Sequence, residues 1–253
     1  MMAVFLVPLA GIGWTSVEDG PRAFEELLGG RLFRAVLWNT LEISGGSTLA
    51  SLALGYPIAY HLARSTPRVR AVCMMFVLLP FWTSILVKSF ALTVILGEQG
   101  IINSLLRGMF GDGATVPLIF NRAGVTIGMT HYLLPFMVFP VLASLLAQGD
   151  DLQRAARVMG ASPARVFRSV TLPLSLPGVL AGCVMCFVLS LGMFVTPALL
   201  GGRKDMMLAN LVDFYTRVSL DWGVAAAIAV VLLGLSGVLI AVLSRLPGEH
   251  RLV

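Results

Sequence analysis

The chain has 253 residues, 57% hydrophobic and 12% charged, against roughly 45–50% and about 25% in soluble domains. With a mean hydropathy of +0.89, the apolar residues exceed what a single core of this size hides from water, which excludes an ordinary soluble domain and makes the bilayer the solvent. The net charge of +5 and the pI near 9.6 come from arginines scattered between apolar blocks. No continuous basic face follows a phosphate backbone, so nucleic acid is not an expected partner.

Six apolar runs, near 1–16, 35–63, 71–97, 123–147, 172–200 and 223–244, are the candidates to cross roughly 30 Å of hydrocarbon at about 1.5 Å per residue. They predict an all-α integral membrane protein forming one transmembrane domain over 1–253. The first run spans only about 24 Å as a helix and reads as a short or truncated first span. It has neither a basic leader nor a small-residue cleavage site, which argues against a signal peptide. After the second run, Arg64, Arg68 and Arg70 crowd one short loop, and Arg154, Arg157, Arg165 and Arg168 crowd the loop 148–171. The tail adds Arg245 and Arg251, whereas the opposite loops carry Glu18, Asp19, Glu25, Glu26, Glu98, Asp112, Asp205, Asp213 and Asp221. The positive-inside rule then places both termini in the cytoplasm.

Pro57, Pro80, Pro135, Pro140, Pro177 and Pro197 fall inside the runs and are expected as kinks in a packed bundle rather than breaks. Apart from histidines, Glu42 and Lys88 are the ionisable side chains well inside the runs. Burying such a charge is costly, so each is either a functional residue or a snorkelling one. Cys73, Cys183 and Cys186 lie in apolar segments, where a thiol packs as a small hydrophobe. Cys183-x-x-Cys186 lacks a second ligand pair for zinc.

Neither Lys88 nor Lys204 sits in a G-x-x-x-x-G-K-[ST] loop, so no ATP cradle is expected here. His61, His131 and His250 are isolated from other metal ligands, and no set of nucleophile, base and orienter suggests an enzyme. The most informative segment is 150–173. Asp150 or Asp151 is expected to cap a first short helix, Gly160 to supply a left-handed stop, and Ser162 to cap a second short helix with Pro163 at its first position. Leu152, Ala155, Ala156 and Met159 on one helix and Val166, Phe167 and Val170 on the other exceed what a loop needs. This elbow either docks on a partner or lies on the lipid surface.

The elbow resembles the signature loop of the membrane subunits of ABC importers with the type I fold, which reads E-A-A, three residues, Gly, nine residues, I-x-L-P. Here the same spacing gives Arg154-Ala155-Ala156, Gly160 and Val170-Thr171-Leu172-Pro173. The resemblance implies a cytoplasmic coupling loop, 148–171, that seats in a cleft of a separate ATP-binding subunit through Arg154, Ala155, Ala156, Gly160, Ser162, Pro163 and Phe167. Arg154 reverses the charge of the family's Glu and puts in question any salt bridge or cap which that Glu supplies.

Gly55-Tyr56-Pro57-Ile58-Ala59-Tyr60, Leu79-Pro80-Phe81-Trp82-Thr83-Ser84 with Lys88, Leu133-Leu134-Pro135-Phe136-Met137 and Pro177-Gly178-Val179-Leu180-Ala181-Gly182 are similar to the spermidine/putrescine permease branch. Relatives of that branch carry aminoethylphosphonate, opines or ferric iron. The resemblance implies a bacterial inner-membrane permease for a small charged solute, a polyamine first. Its partners would be a second homologous permease subunit, two ATP-binding subunits holding ATP and Mg, a periplasmic solute-binding protein and membrane lipid. No cofactor is expected in this chain. Trp82, Phe81, Phe194, Tyr215 and Asp213 would suit a cation by charge and cation–π contact. Lys88 would repel one unless a carboxylate such as Glu42 neutralises it. The rival reading, a secondary transporter or channel, wants inverted repeats or a ring of intramembrane charges, and the sequence shows neither.

Overall fold

Among the described residues of the computed structural model, 2–18, 22–111 and 113–244, all regular structure is helical. The chain begins with α1 (Met2–Val17), α2 (Arg22–Gly29) and α3 (Arg31–Arg64), then continues through α4 (Pro67–Leu78), α5 (Ile85–Leu96) and α6 (Ile101–Phe110). The long α7 (Arg122–Ala147) leads to the short α8 (Asp150–Val158) and α9 (Pro163–Val166). Last come α10 (Leu172–Leu191), α11 (Val195–Leu200), α12 (Leu208–Arg217) and α13 (Trp222–Ser244).

The centre of the bundle is α7, packed between α3 and α10. Its residues Met129, Leu133, Met137, Val138 and Val141 are fully buried, with Leu62, Leu96 and Cys186 in the same core. The buried face of α3 is unlike that core. Thr40, Ser44, Ser47, Thr48, Ser51, Gly55 and Ala59 recur on it every three or four residues, and small side chains at that spacing let a neighbouring backbone approach closely. At Gly55 a Cβ would come within 2.9 Å of Met137 Cγ. A second core gathers Phe33 and Val36 of α3, Leu208 and Leu211 of α12, and Ala227 and Ile228 of α13. Thr40 stitches it together, since its hydroxyl accepts from Leu208 N at 2.9 Å and donates to Val36 O at 2.8 Å.

Four segments are long and apolar enough to cross a membrane by length and composition: Ile85–Phe110, Arg122–Ala147, Pro163–Leu191 and Trp222–Ala241. The helix α1 is shorter, and α3, at 34 residues, is long enough but too polar along its buried face. Two expected spans are broken. The run 71–97 divides into α4, a 3-10 turn Leu79–Trp82, an extended Thr83 and α5. Pro80 therefore sits at a break rather than a kink, because it brings no N–H to the helical ladder. The run 172–200 parts after Leu191 and resumes as α11, with Pro197 in its first turn, where a missing N–H costs little. Pro57, Pro135, Pro140 and Pro177 stay inside continuous helices, as expected. Asp19, Asp112, Arg245, His250 and Arg251 lie outside the described residues.

Candidate functional site

The elbow is built by backbone geometry. Gly149, not an aspartate, occupies the N-cap of α8 and brings no side-chain cap. The helix starts one residue too early for an aspartate cap, and Asp151 falls in its first turn, where a negative charge still faces the free N–H groups. Gly160 has φ +80°, and its neighbours close the turn through Gly160 N to Arg157 O at 2.9 Å and Ala161 N to Ala156 O at 3.0 Å. Ser162 Oγ accepts from Arg165 N at 3.4 Å, with Pro163 at the first helical position.

The second arm differs from a free short helix. From α9 the chain passes through a π-turn, Phe167–Thr171, straight into α10, so the arm is the start of a 29-residue helix, Pro163–Leu191. Pro173 has no N–H for the carbonyl of Ser169, and Leu172 N reaches back to Phe167 O instead. The apolar side chains of the elbow divide accordingly. Leu152, Val158 and Met159 are exposed, the last two at 89% and 83%, whereas Val166 is buried. Phe167 packs edge-on against Tyr60 at 5.3 Å and Tyr56 at 6.1 Å. It anchors the elbow to α3 rather than offering its ring outward. Tyr56 Oη also lies 3.0 Å from Ser175 Oγ of α10, so elbow, α3 and α10 share one joint. Arg154, Ala155 and Gly160 are exposed and Ala156 is half-buried.

The residues singled out for a solute path fall into two groups. Trp82 ends the 3-10 turn with 85% of its surface exposed, beside Phe81, which stacks edge-on against Phe136 at 5.8 Å. Lys88 Nζ donates to Pro80 O at 2.7 Å and lies 5.2 Å from the Tyr132 ring centroid. Its partners are a carbonyl and an aromatic face, not Glu42. In the other group, Asp213 of α12 pairs with Arg217 at 2.7 Å, and Tyr215 packs on the second core. Phe194 lies in the break after α10, and its carbonyl accepts from Asn210 Nδ2 at 3.1 Å.

Glu42 is claimed by Arg122, at 2.5 Å from Nη1. Arg122 also donates from Nη2 to Asn39 Oδ1 at 2.7 Å and from Nε to Asp205 Oδ1 at 3.4 Å. Asp205 Oδ2 accepts from Gly202 N at 3.1 Å, and Asn39 Nδ2 donates to Lys204 O at 2.6 Å. This clamp joins α3, the start of α7 and the loop before α12. Sequence reasoning marked Glu42 as a costly charge but missed Arg122, whose only signal was its place at the head of an apolar run. It also read Arg70 only as a topology charge. Arg70 closes the end of α3, donating to the carbonyls of Leu62, Ala63 and Ser65 at 2.9, 3.1 and 3.1 Å.

Residues 51–246 match the family described as the binding-protein-dependent transport system inner membrane component. The chain belongs to that family. It is therefore a multi-pass inner-membrane transport component and not an enzyme. The chain is 35% identical over 214 residues to the spermidine/putrescine transport system permease protein PotB of Haemophilus influenzae, covering 85% of this chain and 75% of the relative. The PotB protein of Escherichia coli K12 is 32% identical over 214 residues, covering 85% and 78%. In fold, this inner membrane component is similar to a chain of a bacterial alginate ABC transporter with a TM-score of 0.75 at 19% identity, covering 94% and 86%. The all-α fold is thus that of an ABC importer membrane subunit.

Proposed function

We propose that this chain is one of two homologous membrane subunits of a polyamine importer, with spermidine or putrescine as its solute. The carrying observation is the likeness to the two PotB proteins over 85% of the chain. The site chemistry is compatible. Lys88 is occupied by the Pro80 carbonyl and the Tyr132 face, which leaves the exposed rings of Trp82 and Phe81 for amines.

In this reading ATP and Mg are held by a pair of separate subunits, and a solute-binding protein delivers from the periplasm, with both termini of this chain in the cytoplasm. The ATPase takes up the elbow through Arg154, Ala155, Ala156 and Gly160, together with the exposed Val158 and Met159. Ser162 and Pro163 hold the turn, and Phe167 holds its base. Because the second arm continues into α10, and Phe167 bears on Tyr56 and Tyr60, displacement of the elbow is a lever on α10 and α3 together.

The test is equilibrium binding of spermidine, putrescine, aminoethylphosphonate and ferric iron to the cognate solute-binding protein, alongside competition for uptake by the intact transporter. A polyamine should bind and compete most tightly. Tight binding of another member of the panel, with no polyamine affinity, would reject the solute while leaving the transport role in place.

A further inference from the structure

Between α8, the ends of α3 and α7, and the π-turn lies a cavity of about 520 Å³ whose polar lining is Tyr60, Arg64, Gln148, Gln153, Arg157 and Thr171. No carboxylate stands among the described lining residues. The Arg64 guanidinium lies over the Tyr60 ring at 4.1 Å, which orients it. Arg157 shares a face of α8 with Gln153, four residues before it, and neither arginine has an ion-pair partner among the described residues. Two further groups complete the lining. Thr171 is only 2% exposed, and its Oγ1 and the Gln148 Oε1 are buried without hydrogen-bond partners. Buried polar atoms are ordinarily paired. The arginines ask for an anion, while Gln148 Nε2 donates to Thr171 O at 3.2 Å and fixes the floor of the cavity.

A second groove, about 410 Å³ and almost entirely apolar, runs between α4 and α7 past Met74, Phe139 and Leu142. Leu146 lines both spaces. A charged, hydrogen-bonding chamber meeting an apolar groove at one side chain has the make-up of a lipid site rather than of a soluble anion site.

We propose that the two spaces together bind one anionic phospholipid. Its phosphate is held by Arg64 and Arg157, and an acyl chain lies along the groove at Leu146. The lipid bridges α8 to the end of α3, and so steadies the elbow from the membrane side. The site does not depend on which solute is carried.

The test uses the full chain co-purified with its transporter partners in detergent, with retained phosphatidylglycerol counted by native mass spectrometry. Phosphatidylcholine and glycerophosphoglycerol serve as competitors. One phosphatidylglycerol per chain should survive detergent exchange, and neither competitor should displace it. Arg64→Gln and Arg157→Gln should each lower retention about tenfold, as for loss of a charge-assisted hydrogen bond. Arg68→Gln, an exposed cation outside the cavity, should not. Leu146→Trp, which fills the groove without changing charge, should lower retention too. If Arg64→Gln fails to assemble, Arg64→Lys and Leu146→Trp decide the matter, the first retaining lipid and the second losing it. Retention unchanged by the arginine changes, or lowered equally by Arg68→Gln, would overturn the proposal. Displacement by glycerophosphoglycerol at equal concentration would also overturn it, by showing a soluble phosphate-ester site in place of a lipid one.

Discussion

Lys88 illustrates how a charge inside an apolar segment is accommodated without a counter-ion among the described residues. Pro80 interrupts the helical ladder, and the carbonyl of Pro80 accepts from Thr83 N at 3.4 Å, Thr83 Oγ1 at 2.9 Å and Lys88 Nζ at 2.7 Å. The ammonium closes a break that proline opens. Because Thr83 still donates to the Pro80 carbonyl from N and Oγ1, Lys88→Leu should lower stability in detergent by about 1–3 kcal/mol, the cost of a lost charged hydrogen bond. Lys88→Arg should recover part of it. Thermal unfolding and the KM for uptake distinguish the roles: a fully stable Lys88→Leu protein with raised KM would make Lys88 a solute ligand instead. Glu42 is accommodated differently, by an ion pair with Arg122. A charge in an apolar run called for a partner, but the Glu42 side chain is 47% exposed and its partner Arg122 lies 80 positions away (122 − 42), beyond the reach of any helical spacing rule.

At the scale of elements, two glycines serve α8, α9 and α10 by different physics. Gly160 sits at φ +80° with no atom within 4 Å of where a Cβ would stand, so a side chain there meets backbone strain of about 1–2 kcal/mol and no clash. Gly178 of α10 has ordinary backbone, but a Cβ would run into Ser144 Cβ and stand 2.5 Å from the Pro140 carbonyl of α7. Gly160→Val is expected to keep protein levels near normal and to lower stimulation of the partner ATPase. Gly178→Leu is expected to lower the amount of folded protein. Immunoblot levels read beside ATP hydrolysis separate the two, and full ATPase stimulation in Gly160→Val would remove the elbow from the coupling path. The turn residues Gly160, Ser162 and Pro163 were readable from sequence because their chemistry is local. The inward turn of Phe167 was not, because it depends on where α3 places Tyr56 and Tyr60.

For the whole molecule, the ends of the bundle differ in chemistry. Arg64, Arg70, Arg157, Arg165 and Arg168 gather at the end that carries the elbow, while the clamp of Arg122, Glu42 and Asp205 ties the opposite end. Reporter fusions after Arg68 and Arg165 should read cytoplasmic, and a fusion after Asp112 periplasmic. A periplasmic signal at Arg165 would reverse the orientation and take the elbow out of reach of a cytoplasmic ATPase.

Hydropathy and charge alone determined that the chain lives in a bilayer and that the segments near 123–147 and 223–244 are long and apolar enough to cross it, and local residue chemistry marked the left-handed turn at Gly160, because burial in lipid and left-handed turns are properties of short stretches. The likeness of that turn to a coupling loop rests on the family resemblance. Tertiary structure decided the rest. The break in the run 71–97 leaves the carbonyl of Pro80 itself outside the helical ladder, and Thr83 and Lys88 satisfy it, an outcome that hydropathy cannot register. The Ser, Thr and Gly face of α3 is turned to α7, α10 and α12, where small side chains let the backbones approach closely. Glu42 turned to Arg122 rather than Lys88 because folding sets α3 beside the head of α7, and charge pairing follows proximity in space rather than in sequence.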